Sequence, residues 1–519
     1  MKHTKKLASL LLALALAFAL AVPAFAATVT VPSAGILKDH AFTAYQIFSG
    51  REENNVLSDV QWGSGINSTA FLAALKADTT YGSKFTDCTD AAAVAKVLGD
   101  NKTNTDLANK VAELAYANKS STGTNLTSGE NTLADGYYLV VDTTENVGDG
   151  GAYNKALLQV VGNIDIKVKT DAPTVEKKVK EGTAYGDVAD CNIGDSVEFL
   201  LIGSVPDMSR YDTYKYIFHD TLSAGLTAPV QGNVKVYLSA DKNLDTTTTT
   251  DTDVTNSFTV AVDGQTITVS CDNIKSIDGI AKDRYIIVAY SATLNNSAVI
   301  GLGGNTNTVK LEYSNKPDQS GAGDTGNTGN TPEDKVIVFT YELDTTKVDG
   351  ADSNKKLEGA EFKLRNQDSK WATVNDDGKV TGWVDSKDAG STLTSGTDGM
   401  FKVIGLDEGT YYLKEIKAPT GYNMLPQEIE VVITATTSTT WNGEDVNMIL
   451  TNLEVTADGK AGTGDVDTGI AAITVANNAG ATLPETGGMG TTLFYVLGGV
   501  LVVGAVVLLI TKKRMGAEH

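Results

Sequence analysis

Cysteine is nearly absent, with three in 519 residues, too few for the disulfide framework that holds small secreted domains together. Cys191 and Cys271 fall in one predicted domain, which leaves one pairing open and Cys88 single. The four histidines lack metal-ligand spacing, and no glycine-rich loop follows a strand to cradle a phosphate, so neither a metal nor a cofactor is expected. Asp-rich turns are the one place where calcium could sit, against the plainer reading of solvated loops. Positive charge is short as well. Against 64 Asp and Glu stand 42 Lys and Arg, a net charge of −22 with pI near 4.6. That balance argues against nucleic acid and anionic lipid as partners and fits a solvated, self-repelling surface, while saying nothing about fold. Long apolar runs are missing from the interior and occur only at the two ends.

At the N-terminus, Lys2, Lys5 and Lys6 precede an apolar run from Leu7 to about Val22, and Ala24-Phe25-Ala26 offers small residues where a signal peptidase cuts. Residues 1–26 therefore read as a signal peptide, with a mature chain from Ala27. At the other end, Leu483-Pro484-Glu485-Thr486-Gly487 (residues 483–487) precedes an apolar run from Leu493 to Ile510 and then Lys512-Lys513-Arg514. About 18 apolar residues suffice to cross a bilayer as a helix, and the basic cluster keeps that end in the cytoplasm, so 491–511 reads as a transmembrane helix and 512–519 as a cytoplasmic tail. Everything between lies outside the membrane, length enough for about three domains.

That stretch is rich in threonine, valine, tyrosine and glycine, with short alternating runs broken by turn residues. The expected class is all-β, tandem immunoglobulin-like β-sandwich domains. Residues 27–170 form a first domain whose strands, among them Ala41 to Phe48 and Gly136 to Val141, flank a helical insert. In that insert Phe71, Leu72 and Leu75, then Ala92, Val94, Ala95, Val97 and Leu98, then Leu107, Val111 and Leu114, recur at helical spacing. Residues 171–318 form a second, strand-rich domain, 319–334 a Gly- and Thr-rich linker, 335–456 a third domain, and 457–482 a flexible stalk. Gly136-Tyr137-Tyr138-Leu139 resembles Thr410-Tyr411-Tyr412-Leu413, so the first and third domains are candidates for a shared fold.

The pentapeptide, apolar segment and basic tail, in that order, resemble the cell-wall sorting signal of Gram-positive surface proteins. An ordinary membrane anchor with a chance pentapeptide is the alternative. The resemblance implies cleavage by the transpeptidase sortase between Thr486 and Gly487, with transfer of the Thr486 carbonyl to an amine. The third region carries Thr346-Lys347-Val348-Asp349, Leu357-Glu358-Gly359-Ala360-Glu361-Phe362-Lys363-Leu364, and Tyr411-Tyr412-Leu413-Lys414-Glu415-Ile416-Lys417-Ala418-Pro419-Thr420-Gly421-Tyr422. These strings resemble the collagen-adhesin B-type (Cna B-type) domain of Gram-positive pilins and adhesins, the last matching its E-box. The resemblance implies a spontaneous isopeptide bond between a buried lysine on the first strand and an asparagine on the last, assisted by the E-box glutamate: Lys347, Asn452 and Glu415.

Strand parity agrees, since Lys347 alternates with Tyr341 and Leu343, Glu415 with Tyr411 and Leu413, and Asn452 with Met448 and Leu450. A buried lysine favours its neutral, nucleophilic amine, and a buried carboxyl its protonated form. Such an acid can hydrogen-bond the asparagine carbonyl and pass a proton to the departing ammonia. The bland alternative has Lys347 snorkelling to solvent and pairing with Glu415 as a salt bridge.

In the second region, Pro173-Thr174-Val175-Glu176-Lys177-Lys178-Val179, Ile193-Gly194-Asp195-Ser196-Val197-Glu198-Phe199, Phe218-His219-Asp220-Thr221-Leu222 and Asn307-Thr308-Val309-Lys310-Leu311-Glu312-Tyr313 resemble the isopeptide-forming D2 domain of fimbrial backbone subunits. Parity selects Lys177 over Lys178 and aligns Asp220 with Phe218 and Asn307 with Val309. A second bond, Lys177 to Asn307 with Asp220 as acid, follows, against a reading of surface lysines and a turn aspartate. His219 falls on the outward parity.

The first domain departs from this pattern. Val141 stands where the acid would align, and Lys38, the nearest lysine, has no matching acid, so no bond is expected there and the domain reads as the weakest mechanical link. Backbone pilins accept the sortase acyl group on a lysine near the junction of their first two domains. Here Asn163-Ile164-Asp165-Ile166-Lys167-Val168-Lys169 lacks the family's Tyr-Pro-Lys. Parity turns Lys167 and Lys169 outward, Lys169 being preferred and two merely solvated lysines the alternative. The resemblance as a whole implies not an enzyme but a backbone subunit of a sortase-assembled pilus on a Gram-positive cell wall. Its partners would be sortase, copies of itself, other pilins and peptidoglycan, with a host-surface ligand as a further candidate and nucleic acid excluded. A monomeric wall-anchored adhesin of the same domain types is the alternative.

Overall fold

The computed structural model describes residues 27–31, 40–53, 56–153, 157–160, 164–165, 171–244, 251–319, 328–438, 440–441, 443–480 and 489–515. The signal peptide (1–26), Lys38, Lys167, Lys169, Thr486 and Gly487 lie outside the described residues.

The first domain sets a helical insert against a five-stranded sheet whose centre pairs Phe42–Glu53 with Gly136–Asp142. Three helices, Ser68–Ala77, Ala91–Asp100 and Thr105–Ala117, start where a side chain can take a free backbone N–H. Asn67 accepts from Ala70 at 3.3 Å, Asp90 from Ala93 at 2.8 Å and Asn104 from Leu107 at 2.9 Å. Their apolar stripes, carried by Phe71, Leu75, Val94, Leu98, Leu107 and Val111, close a core with Phe48 and Leu139. A second, small cluster around Val29, Phe42 and Val140 fills the other face of the sheet. The helical periodicity was thus legible.

The second domain is a sandwich of two sheets. One runs Ala184–Gly186, Val175–Glu181, Ser196–Ser204, Tyr285–Leu294, Lys235–Ser239, Thr252–Asp253; the other runs Val188–Asp190, Asp334–Phe339, Asn305–Ser314, Tyr216–Leu222, Thr266–Cys271, Thr259–Asp263. Its boundary differs from expectation. Asp334–Phe339 pairs antiparallel with Asn305–Ser314 and parallel with Val188–Asp190, so it closes the second domain rather than opening the third at residue 335. Four successive buried residues, Val336 to Phe339, explain this, because a strand covered on both faces belongs inside a sheet. Cys191 and Cys271 are each buried and free, so the open pairing is not made.

The third domain packs a four-stranded sheet, Met400–Leu406, Tyr341–Asp349, Ile470–Asn477, Thr463–Asp465, on an eight-stranded one that includes Glu361–Asn366, Gly409–Lys417, Ile429–Thr437 and Leu450–Ala457. Residues 457–480 are therefore not a stalk. Ile470–Asn477 lies parallel to Tyr341–Asp349 in the interior of the smaller sheet. Second and third domains share one continuous apolar core, bridged by backbone bonds from Ile193 N to Gly405 O (3.0 Å) and Leu302 N to Val466 O (3.2 Å). At the seam Gly301 and Gly469, with φ of 72° and 70°, touch backbone to backbone; a Cβ on Gly469 would sit 2.4 Å from Gly301 Cα.

Beyond residue 488 a helix, Met489–Met515, exposes its apolar side chains; within the 22 residues Leu493–Arg514 an 18-residue window has mean hydropathy 2.8. At 1.5 Å per residue they span about 33 Å, the thickness of a bilayer core.

Candidate functional site

Two lysines with no solvent exposure, Lys177 and Lys347, sit in the cores of the second and third domains. Among the described residues of the first domain no lysine is buried, and Val141 fills the position aligned with Glu415.

Lys177 projects from the first strand of one sheet of the second domain, while Asp220 and Asn307 come from neighbouring strands of the facing sheet. Register pairs Asp220 with Val309 and Leu222 with Asn307, which sets the two polar side chains diagonally on the inner face. All three are 0% exposed, which rules out surface lysines and a turn aspartate. Lys177 Nζ hydrogen-bonds Asp220 Oδ1 and lies 5.6 Å from the centroid of the Phe199 ring. Burial pushes the Lys177 ammonium below its usual range against the pull of Asp220, and pushes the Asp220 carboxyl up. Both shifts favour the neutral pair, free amine and protonated acid.

Sequence reasoning did not find Tyr290. Its hydroxyl donates to Asp220 Oδ2, accepts from Asn307 Nδ2 at 2.7 Å, and lies 3.3 Å from Lys177 Nζ. Period-two alternation along Ile286, Val288, Tyr290, Ala292 and Leu294 marks it as inward, but nothing local shows where the hydroxyl ends. His219 points outward to Glu312, 2.8 Å away, as its parity implies.

In the third domain Lys347 and its partner strand are neighbours in one sheet. Lys347 pairs with Val475 in parallel register, and Nζ donates to the Val475 carbonyl at 3.1 Å rather than to Glu415. The snorkelling salt bridge is thereby excluded. Burial holds Lys347 down at about 8, with Glu415 opposing the shift. Glu415, on Gly409–Lys417 of the facing sheet, accepts from the amide of Asn477 at 2.8 and 3.0 Å and from Leu425 N at 2.6 Å.

Asn452 is not part of this site. It is exposed and its amide donates to Glu454 at 2.9 Å. The cause is a β-bulge. Thr436 pairs with Asn452 but Thr437 with Leu450, so Thr451 is extra and parity slips between Leu450, which is buried, and Leu453, which is buried again. Met448, the other parity marker, lies in an exposed turn. The buried asparagine is Asn477, last residue of the final strand and 1% exposed. Ala471, Ile473, Val475 and Asn477 share a parity, a signal that small residues disguised as a stalk.

In both clusters the asparagine nitrogen is held and the carbonyl oxygen, Oδ1 of Asn307 and of Asn477, is buried without a partner. In the third domain the acid itself meets the leaving nitrogen, and in the second the Tyr290 hydroxyl stands between Asp220 and that nitrogen; in neither does the acid meet the carbonyl that the sequence argument assigned to it. Each cluster offers a nucleophile, an acid and an electrophilic amide, the parts of one acyl transfer. Elsewhere, a cleft of about 500 Å³ between the Val56–Trp62 strand and the Ala91–Asp100 helix of the first domain lies apart from both.

The comparisons match three separate stretches of the chain. Residues 193–317 match the Gram-positive pilin backbone subunit 2, Cna-B-like domain; residues 341–446 match the SpaA prealbumin-like fold domain; residues 476–515 match the LPXTG cell wall anchor motif. The trypsin-resistant surface T6 protein of Streptococcus pyogenes serotype M6 is 24% identical over 446 residues, 70% of this chain and 77% of the relative. The T6 backbone pilin structure from the same serotype superposes with TM-score 0.53 at 16% identity, over 88% of this chain and all of that one. The full-length major pilin SpaD of Corynebacterium diphtheriae gives 0.47 at 17%, over 88% and 98%.

Proposed function

We propose that this chain, a homologue of the backbone pilin subunits of sortase-assembled pili, is a shaft subunit carrying two internal Lys-Asn isopeptide bonds. Lys177 joins Asn307 with Asp220 as acid, and Lys347 joins Asn477 with Glu415 as acid. The observation that carries this reading is the pair of buried lysine, acid and asparagine clusters, each enclosed by its own sandwich. The LPXTG anchor and the pilin homology place the protein on the cell wall of a Gram-positive bacterium, and the apolar helix suits a transient membrane anchor before sorting. Its role is structural, not enzymatic. Sortase would cut between Thr486 and Gly487 and pass the Thr486 carbonyl to Lys169, or to Lys167, of the next subunit, and at the base to peptidoglycan.

Each internal condensation expels ammonia, so intact mass of the secreted 27–480 fragment falls about 34 Da below sequence mass for two bonds. Lys177→Ala and Lys347→Ala each abolish one deficit of about 17 Da, and an unshifted wild-type mass rejects both bonds. In cells expressing the cognate sortase, Lys169→Ala collapses the polymer ladder to monomer. A ladder that survives Lys167→Ala, Lys169→Ala moves the acceptor elsewhere, and a wild type without any ladder returns the chain to the adhesin reading.

A further inference from the structure

The two clusters differ in how the acid reaches the amide. Glu415 touches Asn477 Nδ2 with both oxygens, but Asp220, one methylene shorter, uses Oδ1 on Lys177 and Oδ2 on Tyr290. The Asn307 amide is held instead by the Tyr290 hydroxyl. Tyr290 is fixed there: it is 4% exposed and stacks on Phe199 with ring centroids 5.6 Å apart.

Resting on the Lys177-Asn307 assignment, we propose that Tyr290 is a catalytic residue of the second domain, the proton relay between Asp220 and the departing nitrogen, so that aspartate and tyrosine together do what one glutamate does in the third domain. The reaction starts from the neutral pair, with the acid proton on Oδ2 donated to the Tyr290 oxygen, so the hydroxyl that donates to Oδ2 when Asp220 is ionised turns its own proton toward Nδ2. Neutral Lys177 Nζ attacks Asn307 Cγ. As the Nζ–Cγ bond forms, Nζ yields one proton to Asp220 Oδ1. The proton on Oδ2 moves to the Tyr290 oxygen, and the tyrosine proton moves to Nδ2, which has gained a lone pair on becoming tetrahedral. The Cγ–Nδ2 bond breaks, ammonia leaves, and acid and phenol end protonated as they began. Nothing is oxidised or reduced. The phenol is suited to passing a proton without holding the charge, because burial and the Asp220 carboxylate both oppose its ionisation.

The test makes the 27–480 fragment by cell-free synthesis and follows formation of both bonds with time by intact mass and peptide mapping. Tyr290→Phe slows formation of the Lys177-Asn307 bond at least tenfold while the Lys347-Asn477 bond forms as in wild type. Adding Asp220→Glu, which extends the acid toward the amide, restores the bond in the Tyr290→Phe background. A wild-type rate in Tyr290→Phe overturns the relay. So does failure of the double variant to regain the bond in molecules whose Lys347-Asn477 bond has formed, since that outcome assigns Tyr290 to packing. Absence of the Lys177-Asn307 bond from wild type instead overturns the bond assignment, and the relay with it.

Discussion

Second and third domains place the same chemistry on different topologies. In each, 130 residues separate lysine from asparagine, Lys177 from Asn307 and Lys347 from Asn477. Closing a loop of that length removes about 5 kcal/mol of unfolded-state entropy in either case by the chain-entropy argument. The geometry of load differs. In the third domain the proposed bond would join neighbouring parallel strands, the first and last, so tension entering near Tyr341 and leaving at Asn477 would cross the domain almost entirely through it. In the second it joins facing sheets and ends one strand short, because Asp334–Phe339 follows Asn307. The first domain, with no buried lysine among its described residues, makes the contrast sharper. If subunits join at Lys167 or Lys169, tension bypasses everything before that junction, and a domain off the load path needs no bond.

The sharpest way to break this comparison is to remove one link. Asn477→Ala should restore about 17 Da to the mass and lower third-domain stability by about 5 kcal/mol in denaturant unfolding, while Asn452→Ala changes neither. If Asn452→Ala unlinks the domain, the within-sheet topology is wrong. A mechanical test separates the two linked domains. Pulled between residues 171 and 480, the chain should lengthen only by releasing residues outside the two bonded loops, chiefly the 39 between Asn307 and Lys347, at most roughly 160 Å in all. Greater extension would show that one bond is missing or elsewhere.

A smaller effect comes from pH. In Asn477→Ala, where no bond can form, Lys347 titrates at about 8 in the folded domain and near 10.5 unfolded. Between those values the unfolded chain binds a proton that the folded one does not, so stability rises with pH across that window, is lost as pH falls from 10.5 toward 8, and is level below 8. The span is worth roughly 3 kcal/mol. A flat profile relative to Lys347→Met, Asn477→Ala would place the lysine in contact with water. The smallest expected change tests the shared core. Gly469→Ala forces a side chain into the Gly301 backbone at positive φ and should cost about 1–3 kcal/mol. Because the core is continuous, the second and third domains should lose thermal stability together; a shift confined to the third would show that the seam carries little cohesion.

How far the sequence reached depended on regularity. Parity found Lys177, Asp220, Asn307, Lys347 and Glu415 because each sits on an unbroken strand, where alternation survives for several residues on either side. It failed at Asn452, where one extra residue at Thr451 reversed the faces. It failed again at Asn477, where Ala471, Ala472 and Ala476 kept the last strand from looking apolar enough to be buried.

The sequence by itself determined which residue types could react, the alternation that turns them inward, the helices of the first domain and the sorting signal. Those are local properties, set by side-chain chemistry and the two- and 3.6-residue periods. The tertiary structure alone decided which strand closes each sheet, that Asp334–Phe339 belongs to the second domain, which asparagine meets Lys347, and that Tyr290 stands between Asp220 and Asn307. Strand pairing and facing join residues more than a hundred positions apart, and no local period encodes which distant strand supplies the neighbour.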